Sequence, residues 1–193
     1  MNRAPEYDIV RFGLRPNPKF MQSLAQYPDD PMRRPSARAL ILRGSLDDEL
    51  FIVGKYIKPN IRLEVFTVEH SQLLPDGAID PSFSHFGLAW YQGHLEANEN
   101  GVLSANIRAV LLDQFFALDA RVRLAPAGTF HIGFWFSDPA DVGESGPTVS
   151  PPIPMGSKRG GPLAMISVPL AATGLGPLCT HPSTWVSLAN CLA

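Results

Sequence analysis

The segment TFHIGFWFSDP (129–139) constrains this chain more than any other. Side chains of an extended strand alternate with period two. Phe130, Ile132, Phe134 and Phe136 therefore share one face, and Thr129, His131, Gly133, Trp135 and Ser137 share the other. The first face is wholly apolar and the second half apolar. A strand of this kind needs cover on both sides, so it belongs at the centre of a sheet.

The neighbouring segments fit the same architecture. FGLAWYQGHLEA (86–97) and VLSANIRAVLL (102–112) flank NENG (98–101), which is a hairpin turn signal. ARALILRG (37–44) is a strand, and LFIVGKYIKPNIRLEVFTVEH (50–70) is two strands around a KPN turn (58–60). In the second of these, Ile61, Leu63, Val65 and Thr67 face one way and Arg62, Glu64, Phe66 and Val68 the other. RVRLAP (121–126) and PLAMISVPL (162–170) are further strands, with a short helical turn expected in DQFFALD (113–119). SQLLPDGAIDPSFSH (71–85) carries turn signals and is longer than the usual connection of about 4–6 residues, which marks it as a binding or contact loop. With 19 Pro and 16 Gly in 193 residues, turns and extended segments win over long helices. The expectation is an all-β fold: a single antiparallel β-sandwich over 37–170, an extended Pro-rich N-terminal arm over 1–36, and an irregular C-terminal tail over 171–193.

Charge is uneven along the chain. Residues 1–45 hold eight basic and four acidic side chains, a net +4, and the rest holds eight and fourteen, a net −6. Pro5, Pro16, Pro18, Pro28, Pro31 and Pro35 interrupt regular structure in the arm, apart from a short helix expected in PKFMQSLAQY (18–27). Yet Phe12, Phe20, Met21, Tyr27 and Met32 are too many large apolar groups for a solvated tail. These five are the candidate contacts to a partner chain.

Candidate chemistry is sparse. None of the five histidines forms the pairs typical of a metal site, and HExxH, GxSxG and a phosphate-binding glycine loop are absent. Trp90, His94, His131 and Trp135 are the candidate ligand platform, for a glycan, because aromatic faces stack on sugars. The simpler reading of Trp135 and His131 is a packed core. Asp138, Asp141 and Glu144 place oxygen ligands in one loop, in reach of calcium but without the EF-hand pattern; a loop cap is the simpler role. Cys179 and Cys191 are the only cysteines and a candidate disulfide, closing a short loop; with His181 they lack a fourth zinc ligand. No dense basic run points to nucleic acid, and no apolar run reaches the roughly 20 residues of a membrane span. No cofactor is implied. MNRAPEYDIVRFGLRPNP has no apolar core, so it does not read as a signal peptide.

GKYIKPNIRLEVFTV (54–68), FGLAWYQGHLEANENG and TFHIGFWFSDPAD together resemble uncharacterised bacterial secreted or surface β-sandwich proteins of immunoglobulin-like type. The resemblance covers about 50–140. It implies a sandwich fold and an extracytoplasmic setting, and supplies no catalytic residues. The function expected is that of a non-enzymatic structural or interaction subunit of a larger assembly, in contact with other protein chains of the same or a different kind. The alternative is a carbohydrate-binding module, with a hydrolase behind it.

Overall fold

The computed structural model describes residues 9–44, 47–109, 111, 115–116, 125–126, 130–143 and 161–180. It contains strands β1 (Ile9–Pro16), β2 (Ser36–Arg43), β3 (Asp48–Lys55), β4 (Arg62–Val68) and β5 (Ala89–Glu96). β6 (Leu103–Ala109), β7 (Phe115–Phe116), β8 (Ala125–Pro126), β9 (His131–Phe136) and β10 (Leu163–Ser167) follow. Every pairing is antiparallel. Eight strands form one sheet in the order β5-β4-β9-β10-β1-β2-β3-β6, and β7 pairs with β8 alone. The end strands β5 and β6 lie against each other, so the sheet nearly closes like a barrel.

The all-β antiparallel expectation therefore stands, but strand pairing shows one sheet rather than two stacked ones. The physical reason is simple. A sandwich and a barrel both bury one face of each strand, so alternation alone does not separate them. The expected centre is correct: β9 pairs with β4 on one side and β10 on the other.

The N-terminal segment differs more. Residues 9–16, expected in an extended arm, form β1, which pairs with β2 along its length and with β10 at its end. Its even positions point inward, and Val10 and Leu14 join the interior. Of the apolar groups too many for a solvated tail, Phe12 and Phe20 are thus covered by the chain itself, while Met32 stays exposed. Asn17 fixes the end of this strand: its backbone N–H donates to Ala164 O at 2.8 Å and its Nδ2 to Leu163 O at 3.2 Å, while its Oδ1 accepts from Lys19 N. That last bond caps a 3-10 turn, Pro18–Phe20, that runs into the helix α1 (Met21–Leu24). The helix expected over 18–27 is present but short. DQFFALD is not helical at Phe115–Phe116, which is β7.

Turn chemistry brings the end strands together. Asn98 Oδ1 accepts from Asn100 N and Val102 N, and Gly101 takes a φ of 71°, so NENG makes a tight turn between β5 and β6, although the two strands do not pair as the expected hairpin would. KPN also turns, but β3 and β4 are not partners. The chain instead crosses the end of the β5–β6 turn, with Ile57 N donating to Gly101 O and Asn60 N to Ala97 O. At Gly93 a Cβ would lie 3.2 Å from Ile107 Cδ1. The bare backbone of β5 lets β6 approach there.

Two apolar cores result. The first fills the barrel, with Leu63 and Val65 of β4, Phe134 and Phe136 of β9, and Leu50 and Ile52 of β3. Phe20 closes one part of it, its ring edge-on to Phe136 at 6.3 Å. The second core lies outside the barrel, on β4, β9 and β10, and is covered by residues 69–88. Here Trp135 is 1% exposed and meets the rings of Phe66 at 5.4 Å and Phe86 at 5.0 Å. A Cβ on Gly133 would fall 2.5 Å from the Trp135 ring, so that glycine is what lets the indole lie over its own strand.

Candidate functional site

The covering segment 69–88 is held by its own turns. Leu88 N donates to Glu69 Oε2 at 2.7 Å, Asp80 N to Gln72 O, and the Asp80 carboxylate accepts from Ser82 N and Oγ. Between this segment and residues 169–176 lies a pocket of about 430 Å³. That size falls in the range of about 300–1,000 Å³ usual for small-ligand sites. His70 and His85 stand edge to face on its wall, with centroids 5.5 Å apart.

His131 forms the floor and is 4% exposed. Its Nδ1 lies 3.0 Å from Ser167 O and 3.1 Å from Ser167 Oγ. A carbonyl oxygen only accepts, so Nδ1 carries the hydrogen and Nε2 keeps its lone pair. Burial lowers this imidazole from 6.5 to about 4, against the raising effect of the Ser167 bond, so the ring is neutral at pH 7.

The expected glycan platform is not assembled. Trp135 and His131 do share the outer face of β9, but Trp135 is sealed under Phe66 and Phe86. On β5 a bulge at Gln92 shifts the register between Gly93, which pairs with Val65, and Tyr91, which pairs with Phe66. Trp90 and His94, expected on one face, fall on opposite faces as a result. Trp90 is 37% exposed and pairs with Thr67; His94 is exposed and pairs with Glu64. Tyr91, on the outer face beside Phe66, has its hydroxyl pKa raised by burial and then by Glu64.

The other candidates disperse. Phe12 packs on the barrel interior and Phe20 is buried. Met21 is half-buried, Tyr27 stacks edge-on with Tyr56 under the Arg33 guanidinium, and Met32 is exposed. Asp138 Oδ1 accepts from Ala140 N and caps the 3-10 turn Pro139–Val142. The Asp141 carboxyl is raised by burial and by the charge of Asp138. Glu144 lies outside the described residues, and among those described no cluster of three or more His, Cys, Asp or Glu is set to hold a metal. Cys179 is buried; Cys191 and His181 lie outside the described residues. No described helix is long and apolar enough to cross a membrane.

A second surface was not foreseen. The outer faces of β1, β2 and β3 align in register: Ile9, Leu42 and Glu49 in one row, Arg11, Leu40 and Phe51 in the next, and Gly13, Arg38 and Val53 in the third. They enclose a shallow groove of about 880 Å³, and Val53 is 60% exposed. The available signal was that ARALILRG and LFIV are apolar at both parities. Comparison with known proteins finds no matching family model, curated protein or solved structure.

Proposed function

We propose that this protein is a non-enzymatic interaction subunit of a larger assembly, which packs the outer face of β1–β3 against another protein chain. The observation that supports this reading is the apolar patch of Leu40, Leu42, Phe51 and Val53 on the outer face, with Val53 60% exposed and the other three half-buried. Arg11 and Arg38 flank the patch and make no ion pair among the described residues. The partner that charge favours is a second copy of this chain. Its residues beyond position 45 carry a net −6, and a basic, apolar face meets an acidic surface favourably. Such a contact places unlike surfaces together, so it extends into rings or filaments rather than stopping at a two-fold dimer.

Light scattering on the full chain, with and without Val53→Lys and Phe51→Lys, tests this. The parent is expected to exceed the 21.0 kDa of one chain at low salt and to shrink toward it as salt rises. The double variant is expected to stay at one chain mass. A parent that remains monomeric across salt and concentration overturns the reading.

A further inference from the structure

The pocket over His131 stands apart from the β1–β3 face and has a chemistry of its own. None of its lining residues is Lys or Arg, while Glu69 and Asp80 bring carboxylates. Anionic ligands are therefore disfavoured. The most buried polar group of the lining, His131, presents an acceptor: Nδ1 is occupied by Ser167, and Nε2 makes no hydrogen bond among the described residues. That nitrogen is not among the sealed, unsatisfied atoms, and it opens to the pocket, where a hydroxyl can donate to it. The wall adds Phe83 and Phe130, whose rings offer apolar surface to C–H groups.

We propose that this pocket binds a small neutral polyhydroxyl ligand, a sugar unit or polyol, whose hydroxyls donate to His131 Nε2 and to the carboxylates of Glu69 and Asp80. One oxygen of each carboxylate is taken by Leu88 N or by Ser82, and Glu69 Oε1 and Asp80 Oδ2 make no hydrogen bond among the described residues, so a ligand that supplies hydrogens fits. The carboxylates and the neutral imidazole suit hydroxyl donors without requiring charge on the ligand. Ring carbons of the ligand lie toward Phe83 and Phe130. A sugar-binding site is thus moved from the sealed Trp135 to the pocket beside it.

Imidazole resonances of His70, His85 and His131 are followed by NMR during titration of the full-length protein with glucose, galactose, mannose, N-acetylglucosamine and glycerol. At least one is expected to shift all three sets saturably, with half-saturation near ~1 mM, as a few hydrogen bonds would give. Asp80→Ala, on an exposed loop, is expected to weaken binding about tenfold or more, and His131→Phe to do the same if it folds. Glu99→Ala, in the exposed turn between β5 and β6 and outside the pocket, is expected to leave sugar binding unchanged. Absence of saturable shifts with every compound overturns the proposal, as does undiminished binding by Asp80→Ala. Saturation by zinc chloride or inorganic phosphate in place of the sugars overturns it too, and reassigns the pocket to a metal or an anion.

Discussion

The outer surface of this barrel is treated in two opposite ways. On β4, β9 and β10, residues 69–88 fold back and bury Phe66, Val68 and Trp135 in a second core. On β1, β2 and β3, Leu40, Phe51 and Val53 meet no such cover among the described residues. All six strands are paired on both edges, and both outer faces carry large apolar groups. The difference lies in the connections. The β1–β2 connection, residues 17–35, is about as long as the β4–β5 connection, residues 69–88, but its turn and helix put Phe20 and Leu24 against the barrel core, whereas residues 69–88 lie over the sheet face. Cover of an outer face is thus set by where a long connection packs rather than by its length, and an apolar face under no described loop is left for something else.

The largest expected effect lies on the covered side. Trp135→Ala removes a ring packed between Phe66 and Phe86 and is expected to cost about 3–5 kcal/mol. Chemical denaturation at pH 7 measures it. A variant that melts like the parent would mean that the second core contributes nothing, and the contrast between the two faces would collapse.

His131 gives the next effect, through pH. Its folded pKa is lowered from 6.5 to about 4 by burial. Below pH 6.5 the unfolded chain takes up a proton that the folded chain refuses until near pH 4. This residue therefore leaves stability unchanged above pH 6.5 and reduces it between 6.5 and 4, by about 3 kcal/mol in total. His131→Gln removes the titration. The difference in denaturation midpoint between parent and variant, followed from pH 7 to 4, isolates it from carboxylates such as Asp141. A difference that stays flat with pH would show the ring to be solvated, with the pocket floor wrongly placed.

A smaller effect separates volume from polarity at the same site. The indole Nε1 of Trp135 is buried and makes no hydrogen bond. Trp135→Phe loses packing but also removes that unsatisfied donor, which by itself costs about 1–3 kcal/mol. The two changes oppose each other, so the net loss is expected to be about 1 kcal/mol, well below that of Trp135→Ala. Equal losses for the two variants, in the same denaturation experiment, would assign the whole effect to ring size.

These contrasts also show what was legible in the sequence. Period-two alternation located β9 and its two apolar faces, and the Asn and Gly of NENG located the turn between β5 and β6, though not that these two strands stay unpaired. The long 71–85 loop was marked as a contact segment, and His131 as a packed histidine. Alternation reports that a face is buried, not what buries it, so it does not separate a barrel from a sandwich, and the prolines of the N-terminal segment hide the pairing of β1. The bulge at Gln92 was hidden because one extra residue leaves no mark on composition, yet it moves Trp90 off the face of His94. The pocket joins residues near positions 70, 82, 131 and 175, contacts that only the closed sheet brings together.

The smallest effect is expected on the open face, and it tests the comparison most directly when paired with the covered one. Val53 and Val68 both sit on outer faces of sheet strands, but Val53 is 60% exposed and Val68 is 0% exposed. Val53→Lys places its ammonium in water along a strand whose pairing needs only the backbone, so stability is expected to change by no more than about 0.5 kcal/mol. Val68→Lys buries an unpaired charge under residues 69–88, so a loss of several kcal/mol is expected. The pair is measured by denaturation at low protein concentration, where self-association does not add to stability. If Val53→Lys is as damaging as Val68→Lys, the chain covers both faces itself, and the β1–β3 surface has no room for a partner. If it is silent in stability yet abolishes the mass increase in light scattering, the face is open in the single chain and closed in the assembly.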